Sequence, residues 1–96
     1  MNRSEIILAI EALKAELVAF DVASLHLFGS YVRDTASDES DIDLVVAFRD
    51  PATFDDYMGL KLFLEDRLGR KIDLVTERAI RPELRHTIER DAIHVA

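Results

Sequence analysis

The amino-acid sequence predicts an α/β (α+β) domain in which a small mixed β-sheet carries helices mainly on one face. Amphipathic helical segments and short apolar, strand-like segments alternate along the chain, which is typical of a sheet covered by helices. The composition, 49% hydrophobic and 32% charged, is ordinary for a globular domain. No repeat, low-complexity tract or Pro/Gly-rich linker interrupts the 96 residues, so we expect a single domain over residues 1–96.

The first elements predicted along the chain are a helix and a strand. An amphipathic helix is expected over residues 4–20, with Ser4 as its N-cap. Its apolar side chains recur at helical spacing and form one stripe: Ile6, Ile10, Leu13 and Leu17. Residues 24–28, SLHLF, are short, apolar and compatible with a strand, and Gly29 ends that strand.

The clearest strand lies at residues 41–48, DIDLVVAF, after a polar loop at residues 34–40. Polar and apolar residues alternate at its start, whereas residues 44–48 are apolar on both faces. Such a run is typical of a central strand whose two faces are both covered. We therefore expect this strand to lie inside the sheet.

A second amphipathic helix is expected after Pro51, where Thr53 and Asp56 have the spacing of a capping box. Gly69 is its expected C-cap. The apolar residues assigned to this helix form two adjoining groups: Phe54, Met58 and Leu62, with Leu60, Leu64 and Leu68 alongside.

Three short elements complete the predicted fold. A strand is expected at residues 71–75, KIDLV, and a helix from Pro82 to about Arg90. Residues 93–95 are compatible with a last short strand. The sequence leaves open whether the strands run parallel.

Two carboxylates stand out at the start of the central strand. Side chains alternate along a strand, so Asp41 and Asp43 point to one face while Ile42 and Leu44 point to the other. Carboxylates held this close repel each other and lose hydration near a core, and a cation between them relieves both effects. Hard oxygen ligands suit Mg²⁺, which usually shares its coordination shell with substrate phosphates.

Asp73 is a third candidate ligand, because the apolar residues Ile72 and Leu74 flank it in its predicted strand. If this strand lies beside the central one, Asp73 can join Asp41 and Asp43 on one face. Three carboxylates can hold two divalent ions, of which one activates an attacking oxygen and the other neutralises a leaving phosphate. The third carboxylate would also be placed to accept the proton of the nucleophile.

Gly29 and Ser30 have features that suit a phosphate group. A glycine lets a phosphate approach the backbone closely, and the Ser30 hydroxyl adds a hydrogen-bond donor. If a helix begins at Ser30, its free N–H groups and its dipole favour an anion there. Arg33 would lie on the same helix face as Ser30, where it could reach a terminal phosphate or one of the aspartates.

A series of short motifs runs in order along the chain: a Gly-Ser pair, an arginine three residues after the serine, a polar loop, the segment SDIDL and a later aspartate in a strand. In this order and spacing they resemble the minimal nucleotidyltransferases of the DNA polymerase beta-like nucleotidyltransferase superfamily. The resemblance covers essentially the whole chain and implies the nucleotidyltransferase fold. It implies one catalytic and metal-binding set: Asp41, Asp43 and Asp73. It also implies one nucleotide-binding set: Gly29, Ser30 and Arg33.

The same resemblance implies an activity and a partner. Family members of this size are typically the antitoxin of a pair with a helical HEPN-domain toxin. The implied reaction is the transfer of AMP from ATP to a tyrosine hydroxyl of that toxin, with Mg²⁺ as cofactor and two ions expected. The chain would assemble with its toxin, and some relatives are bound mainly as stoichiometric complexes.

One position departs from the family pattern, because Asp34 stands where a glycine usually follows the arginine. Its negative charge near the expected phosphates lowers the catalytic efficiency that we expect. The alternative is a catalytically weak antitoxin that neutralises its toxin by stoichiometric binding. Sugar transferases also use a DxD motif but are generally much larger, and phosphatases with an aspartyl nucleophile place their pair after a strand, whereas here the apolar strand follows the pair.

Charge and composition limit the expected partners and location. A formal net charge of −7 repels polyanions, so extended nucleic-acid binding is not expected. The chain has no cysteine, no signal-peptide pattern and no apolar run near the ~20 residues that a membrane span needs. We therefore expect a cytoplasmic protein without membrane association.

Overall fold

A mixed four-stranded β-sheet forms the centre of the fold. The computed structural model describes residues 1–33, 35–37 and 40–96. Its strands are β1 (Val22–Phe28), β2 (Ile42–Phe48), β3 (Ile72–Thr76) and β4 (Ile93–His94). Within the described residues they lie in the order β3-β2-β1-β4. Strand β2 pairs antiparallel with β1 and parallel with β3, and β4 pairs antiparallel with β1. The predicted mixed sheet, with β2 inside it, is confirmed.

The helices account for most of the remaining chain. They are α1 (Arg3–Glu11), α2 (Lys14–Ala19), α3 (Phe54–Leu68) and α4 (Pro82–Asp91). The predicted capping box of α3 is present, since Thr53 accepts a hydrogen bond from the Asp56 amide and Asp56 accepts one from the Thr53 amide. Gly69 ends α3 in the left-handed conformation, with φ of 64°, and Pro82 lies at the first turn of α4.

The hydrophobic core lies between one side of the sheet and helices α1 to α3. We call this side the closed face; it carries Leu25, Leu27, Ile42, Leu44 and Val46. The helices contribute one buried set: Ile6, Ile10, Leu13, Leu17, Leu60, Leu64 and Leu68. These side chains pack against those of the strands, so the core holds the helices against the closed face.

The opposite side of the sheet is much less covered. We call it the open face; it carries His26, Phe28, Asp43, Val45 and Asp73. Helix α4 lies over part of this face but contains no buried residue. A cavity of about 160 Å³ separates α4 from the strands and is lined by Val45, Ala47 and Ile88 among others. The prediction of helices mainly on one face therefore holds.

The N-terminal helical segment differs from its prediction. The chain forms α1 and α2 with a break at Ala12 and Leu13, and not one helix over residues 4–20. The N-cap is Asn2 and not Ser4, because the Asn2 side chain accepts from the Glu5 amide and the Glu5 side chain accepts from the Asn2 amide. An Asn-x-x-Glu sequence is a readable capping signal, and the prediction missed it.

Both apolar groups assigned to α3 lie in this helix, but only one of them is fully buried. Leu60, Leu64 and Leu68 are buried, as expected for a stripe facing the core. Phe54 and Leu62 lie on the outer side and are 73% and 56% exposed. Both groups have helical spacing, so only the position of the sheet determines which of them is buried.

Two further predictions concern the loop at residues 34–40 and membrane-spanning segments. Asp34 and part of the predicted loop at residues 34–40 lie outside the residues that the structure describes. Within the described ranges, no helix combines the length and the apolar character needed to cross a membrane.

Candidate active site

Two predicted site carboxylates lie side by side on the open face. Strands β2 and β3 are parallel and in a register that pairs Asp43 with Asp73. Paired residues of neighbouring strands point to the same side of a sheet, so both carboxylates project from the open face. Their apolar neighbours Ile42, Leu44 and Ile72 turn into the core. The condition set by the sequence, that Asp73 must share a face with Asp43, is met.

Asp41 lies two residues before Asp43, just ahead of β2, and is partly exposed. Its negative charge acts on Asp43. The electrostatic contact places Asp41 near the pair, while Asp43 and Asp73 are the two carboxylates that the sheet itself aligns.

The pKa of Asp43 is raised to about 6. The largest cause is burial, and the charge and hydrogen bond of Asp73 and the charge of Asp41 raise the pKa further. The positive charge of Arg33 acts in the opposite direction. Phe28, the cross-strand partner of Asp43, contributes apolar surface at this point of the open face. Three acidic groups are thus held close enough that their negative charges oppose one another.

Gly29 packs directly against Asp43. Its φ is 78°, a left-handed conformation that glycine adopts without steric cost. A Cβ atom on this residue would lie 2.9 Å from Asp43 Cγ, closer than real side chains approach, and 3.2 Å from Asp43 Cβ, which is also unusually close. The position therefore requires glycine for two reasons. The backbone conformation is left-handed, and Asp43 fills the space that a Cβ atom would need.

Ser30 and Arg33 lie in the tight turn that follows β1. The turn is a single 3₁₀ turn over Gly29–Tyr31, in which the Val32 and Arg33 amides donate to the Gly29 carbonyl at 3.1 and 3.3 Å. The helix expected to begin at Ser30 is therefore only one turn long and provides little dipole. Within the described part of the chain, the Ser30 hydroxyl has no hydrogen-bond partner. Arg33 is exposed, close enough for its charge to act on Asp43.

The donor set at this site suits a hard divalent cation. Asp43 and Asp73 offer oxygen ligands from adjacent strands, and their mutual repulsion is the kind that a cation removes. Among the residues that the structure describes, no group of three or more His, Cys, Asp or Glu side chains is arranged to hold a metal ion by itself. The carboxylates thus form an incomplete shell, which fits Mg²⁺ because this ion takes its remaining ligands from water and substrate phosphates.

Tyr31 and Arg70 were missed as site residues by the sequence analysis. The Arg70 Nη2 atom donates to the Tyr31 hydroxyl at 2.6 Å and to the Ser40 carbonyl at 2.9 Å. Tyr31 adjoins Ser30, and Ser40 adjoins Asp41, so Arg70 links two parts of the site. The residues of the first contact are 39 positions apart, and no local sequence pattern announces a pair so distant.

The arrangement can bind a polyphosphate and remove a proton. The Gly29-Ser30 turn, Asp41, Asp43 and Asp73 meet at one end of the open face, with Arg33 near enough to act on Asp43. None of these residues lines the cavity under α4, and Arg33 and Asp73 are exposed, so the described part of the site is accessible at the strand ends. Open access suits a reaction whose acceptor belongs to another macromolecule.

Comparison with known proteins gives a consistent family. Residues 7–95 match the family described as nucleotidyltransferase domain. A Methanocaldococcus jannaschii protein provisionally named a protein adenylyltransferase is 42% identical over 79 residues, which cover 79% of this chain and 79% of that protein. The protein adenylyltransferase MntA of Thermococcus cleftensis is 34% identical over 76 residues, covering 79% of this chain and 77% of MntA.

Solved structures agree with the sequence comparison. A structure provisionally assigned as a minimal nucleotidyltransferase superimposes with a TM-score of 0.85 at 36% identity, covering 97% of this chain and 95% of that chain. A crystal structure of a toxin–antitoxin complex with AMP-PNP superimposes with a TM-score of 0.73 at 25% identity, covering 90% of this chain and 72% of that chain. The chain belongs to the nucleotidyltransferase domain family and is an enzyme with the fold of the minimal nucleotidyltransferases.

Proposed function

We propose that this protein transfers AMP from ATP to a tyrosine hydroxyl of a partner HEPN toxin and acts as its antitoxin. The observation that carries the proposal is the register of β2 and β3, which sets Asp43 beside Asp73 while Gly29 packs against Asp43. Names of relatives support it, since two are called protein adenylyltransferases. A similar fold is also found in a toxin–antitoxin complex with an ATP analogue, AMP-PNP.

Three carboxylates would hold the metal: Asp41, Asp43 and Asp73. We propose two Mg²⁺ ions, which when bound would neutralise the charge of the triphosphate and of the leaving pyrophosphate. The raised pKa of Asp43 comes from burial and from the two neighbouring acidic groups, and this repulsion is the electrostatic feature of the site that favours cation binding.

The triphosphate would lie against the turn that follows β1. Gly29 packs against Asp43, so a phosphate bound to this turn would lie beside the carboxylate proposed to hold the metal. The Ser30 hydroxyl, which has no partner among the described residues, would donate to one of these oxygens. The exposed Arg33 would add a positive charge on the same side.

The reaction is a displacement at the α-phosphorus of ATP. The oxygen of the acceptor hydroxyl forms a bond to that phosphorus, and the bond from the phosphorus to the oxygen that bridges to the β-phosphate breaks. Pyrophosphate leaves with the electron pair, and the hydroxyl proton passes to Asp73, which is exposed beside Asp43. The products are an AMP ester of tyrosine and pyrophosphate.

The accessibility of the carboxylates supports an acceptor hydroxyl that belongs to another protein. Since the carboxylates lie at the strand ends and outside the cavity under α4, a side chain from another protein can reach them. Residues 1–96 would act as one transferase domain that assembles with the toxin in the cytoplasm, where ATP and Mg²⁺ are available.

The direct test combines the protein with ATP, Mg²⁺ and the protein encoded by the adjacent reading frame, which the proposal expects to be a HEPN toxin. Mass spectrometry of the intact toxin should show added AMP, and fragmentation should place it on tyrosine. The control is Asp43→Asn, which keeps the shape of the side chain and removes its charge. If wild-type protein forms the complex but adds no AMP to the toxin, the proposal is wrong.

A second function has specific support. Asp34 adds a negative charge where proteins resembling this one usually have glycine. This charge favours an antitoxin that neutralises its toxin by occupancy. The double variant Asp41→Ala/Asp43→Ala separates the two functions: neutralisation retained by this variant favours binding, whereas neutralisation lost from an intact complex favours chemistry.

A further inference from the structure

We propose that Arg70 is a positioning residue that holds the three site-bearing segments of this enzyme in register. The inference rests on the proposed function for its catalytic meaning. The segments are the turn with Gly29 and Ser30, the start of β2 with Asp41 and Asp43, and the start of β3 with Asp73. Asp43 and Asp73 are aligned by the sheet, but the turn and the residues ahead of β2 lie outside the strands and need another constraint.

The contacts of Arg70 reach both of these irregular segments. Its Nη2 atom donates to the Tyr31 hydroxyl at 2.6 Å and to the Ser40 carbonyl at 2.9 Å. Its guanidinium carbon lies 5.8 Å from the centre of the Tyr31 ring. One planar cation thus binds the turn through Tyr31 and the entry to β2 through Ser40.

Tyr31 connects this contact to the core. Its side chain is only 3% exposed and belongs to the hydrophobic cluster, so the ring anchors the end of the 3₁₀ turn. Its hydroxyl stays at the edge of the core, where it also lies 3.5 Å from the Ser40 carbonyl. A charge-assisted hydrogen bond to this hydroxyl therefore restrains the residue directly after Ser30.

The backbone around Arg70 is itself fixed. Gly69 ends α3 in the left-handed conformation, and the Glu65 carboxylate of α3 accepts from the Ile72 amide at 3.0 Å. The carbonyl of Lys71 accepts from the Ile42 amide at 3.0 Å. Arg70 thus lies in a hydrogen-bonded connection between α3 and β3, only three residues before Asp73. From this fixed position its side chain can restrain the two irregular segments.

A neighbouring arginine offers a matched comparison. Arg67 lies in the last turn of α3, three residues before Arg70, but its side chain is half exposed and stacks on Phe63 with its guanidinium carbon 5.0 Å from the ring centre. Among residues 1–33, 35–37 and 40–96, Arg67 contacts Asp66 and Phe63 and makes no hydrogen bond or ion pair with the three segments. Arg67→Ala therefore removes a cation from the same helix end while leaving the site connections in place.

The first measurement is amide hydrogen exchange of metal-free protein. Arg70→Ala should raise exchange by about tenfold at the Arg33 and Thr35 amides of the turn and at the Ile42 amide, because the segments can then open locally. The Leu25 and Val95 amides at the far edge of the sheet should not change. Unchanged exchange in the turn, relative to Arg67→Ala, would overturn the inference.

The second measurement is the kinetics of AMP transfer, at a temperature where each variant is folded. Arg70→Ala should lower kcat by about 30-fold to 100-fold, because small displacements of reacting groups have effects of this size. The KM for the toxin should stay within about twofold, since the Tyr31 and Ser40 contacts of Arg70 lie within this chain. Tyr31→Phe removes only the hydroxyl and should lower kcat by about fivefold.

The two measurements distinguish failure of the inference from failure of the proposed function. Wild-type transfer with equal kcat in Arg70→Ala and Arg67→Ala would reject a positioning role for Arg70. Absence of transfer by wild-type protein would reject the proposed function, and hydrogen exchange would then decide by itself whether Arg70 holds the segments. If Arg70→Ala does not fold, Tyr31→Phe carries both readouts.

Discussion

On the closed face of the sheet, Leu27 and Leu44 are completely removed from solvent, whereas on the open face Asp73 is exposed and Asp43 is only partly buried. Three helices cover the first face with buried leucine and isoleucine side chains. The single helix over the second face, α4, has no buried residue. The same strands β2 and β3 supply both surfaces, since their side chains alternate.

The comparison separates stability from chemistry. Burial of apolar surface on the closed face provides the main stabilisation of so small a domain. The open face gathers like charges whose repulsion opposes folding and is reflected in the raised pKa of Asp43. We infer that substitutions on the closed face should lower stability with little effect on AMP transfer. Substitutions of the open-face carboxylates should lower AMP transfer with little effect on stability.

The largest expected effect is on catalysis from the open face. Asp43→Asn should lower the rate of AMP transfer by about 1,000-fold, because the loss of a metal ligand removes several kcal/mol of transition-state stabilisation. Chemical denaturation of the metal-free variant should show a free energy of unfolding no lower than wild type, since the amide relieves repulsion from Asp73 and Asp41. A large loss of stability would show that this carboxylate is structural.

The next effect tests the closed face with two leucines of α3. Leu64→Ala should lower the free energy of unfolding by about 3 kcal/mol, because its side chain is fully buried and the substitution leaves a cavity. Leu62→Ala, at a side chain that is 56% exposed, should change it by less than about 0.5 kcal/mol. Urea denaturation measures both values, and similar losses would contradict the assigned orientation of α3.

Two glycines test whether the turn after β1 packs against Asp43. Gly29 and Gly69 both have positive φ, but an added Cβ meets Asp43 at Gly29 and nothing within 4 Å at Gly69. Gly69→Ala should cost about 1 kcal/mol of unfolding free energy from backbone strain alone. Gly29→Ala should cost about 2 kcal/mol, from the same strain and the contact, and should lower AMP transfer by displacing Asp43. Equal losses of stability at the two positions would mean that Gly29 does not pack against this carboxylate.

The smallest expected effect is the pH dependence of stability. The pKa of Asp43 rises on folding from near 3.8 to about 6, so the folded protein binds the proton more tightly than the unfolded chain. Protonation of Asp43 therefore stabilises the folded protein. This contribution to the free energy of unfolding is fully present below about pH 3.8 and is lost as the pH rises through about 6. The effect should be small, because solvent screens this partly exposed group. The check is the difference in unfolding free energy between wild type and Asp43→Asn, measured without metal from pH 4 to 7; a difference that does not vary with pH would contradict the shift.

The sequence predicted where the candidate site carboxylates lie on the strands better than it predicted the helices around them. Alternation along a strand was enough to place Asp41 and Asp43 opposite Ile42 and Leu44, because that rule is local. Proximity of Asp73 needed the pairing of β2 with β3, which no local pattern states. The outward position of Leu62 depends on where the sheet lies, and no glycine or proline marks the break after α1.

The contacts between distant segments were beyond sequence reasoning. Arg70 and Tyr31 were not predicted to meet, although each has an ordinary local role at a helix end or in a turn. The capping pair of Asn2 and Glu5 was different, since its signal was present and was assigned to Ser4 instead. Local chemistry is thus readable from the sequence, whereas chemistry assembled across the fold requires the structure.

The most direct test of the carboxylate site is a crystal structure with Mn²⁺ and AMP-PNP, using anomalous scattering to locate the metal. We predict manganese bound by the carboxylates of Asp43 and Asp73, with the phosphates of the analogue against the backbone of Gly29 and Ser30. Manganese elsewhere, or a nucleotide bound in the cavity under α4, would contradict the assignment of the open-face carboxylates as the active site.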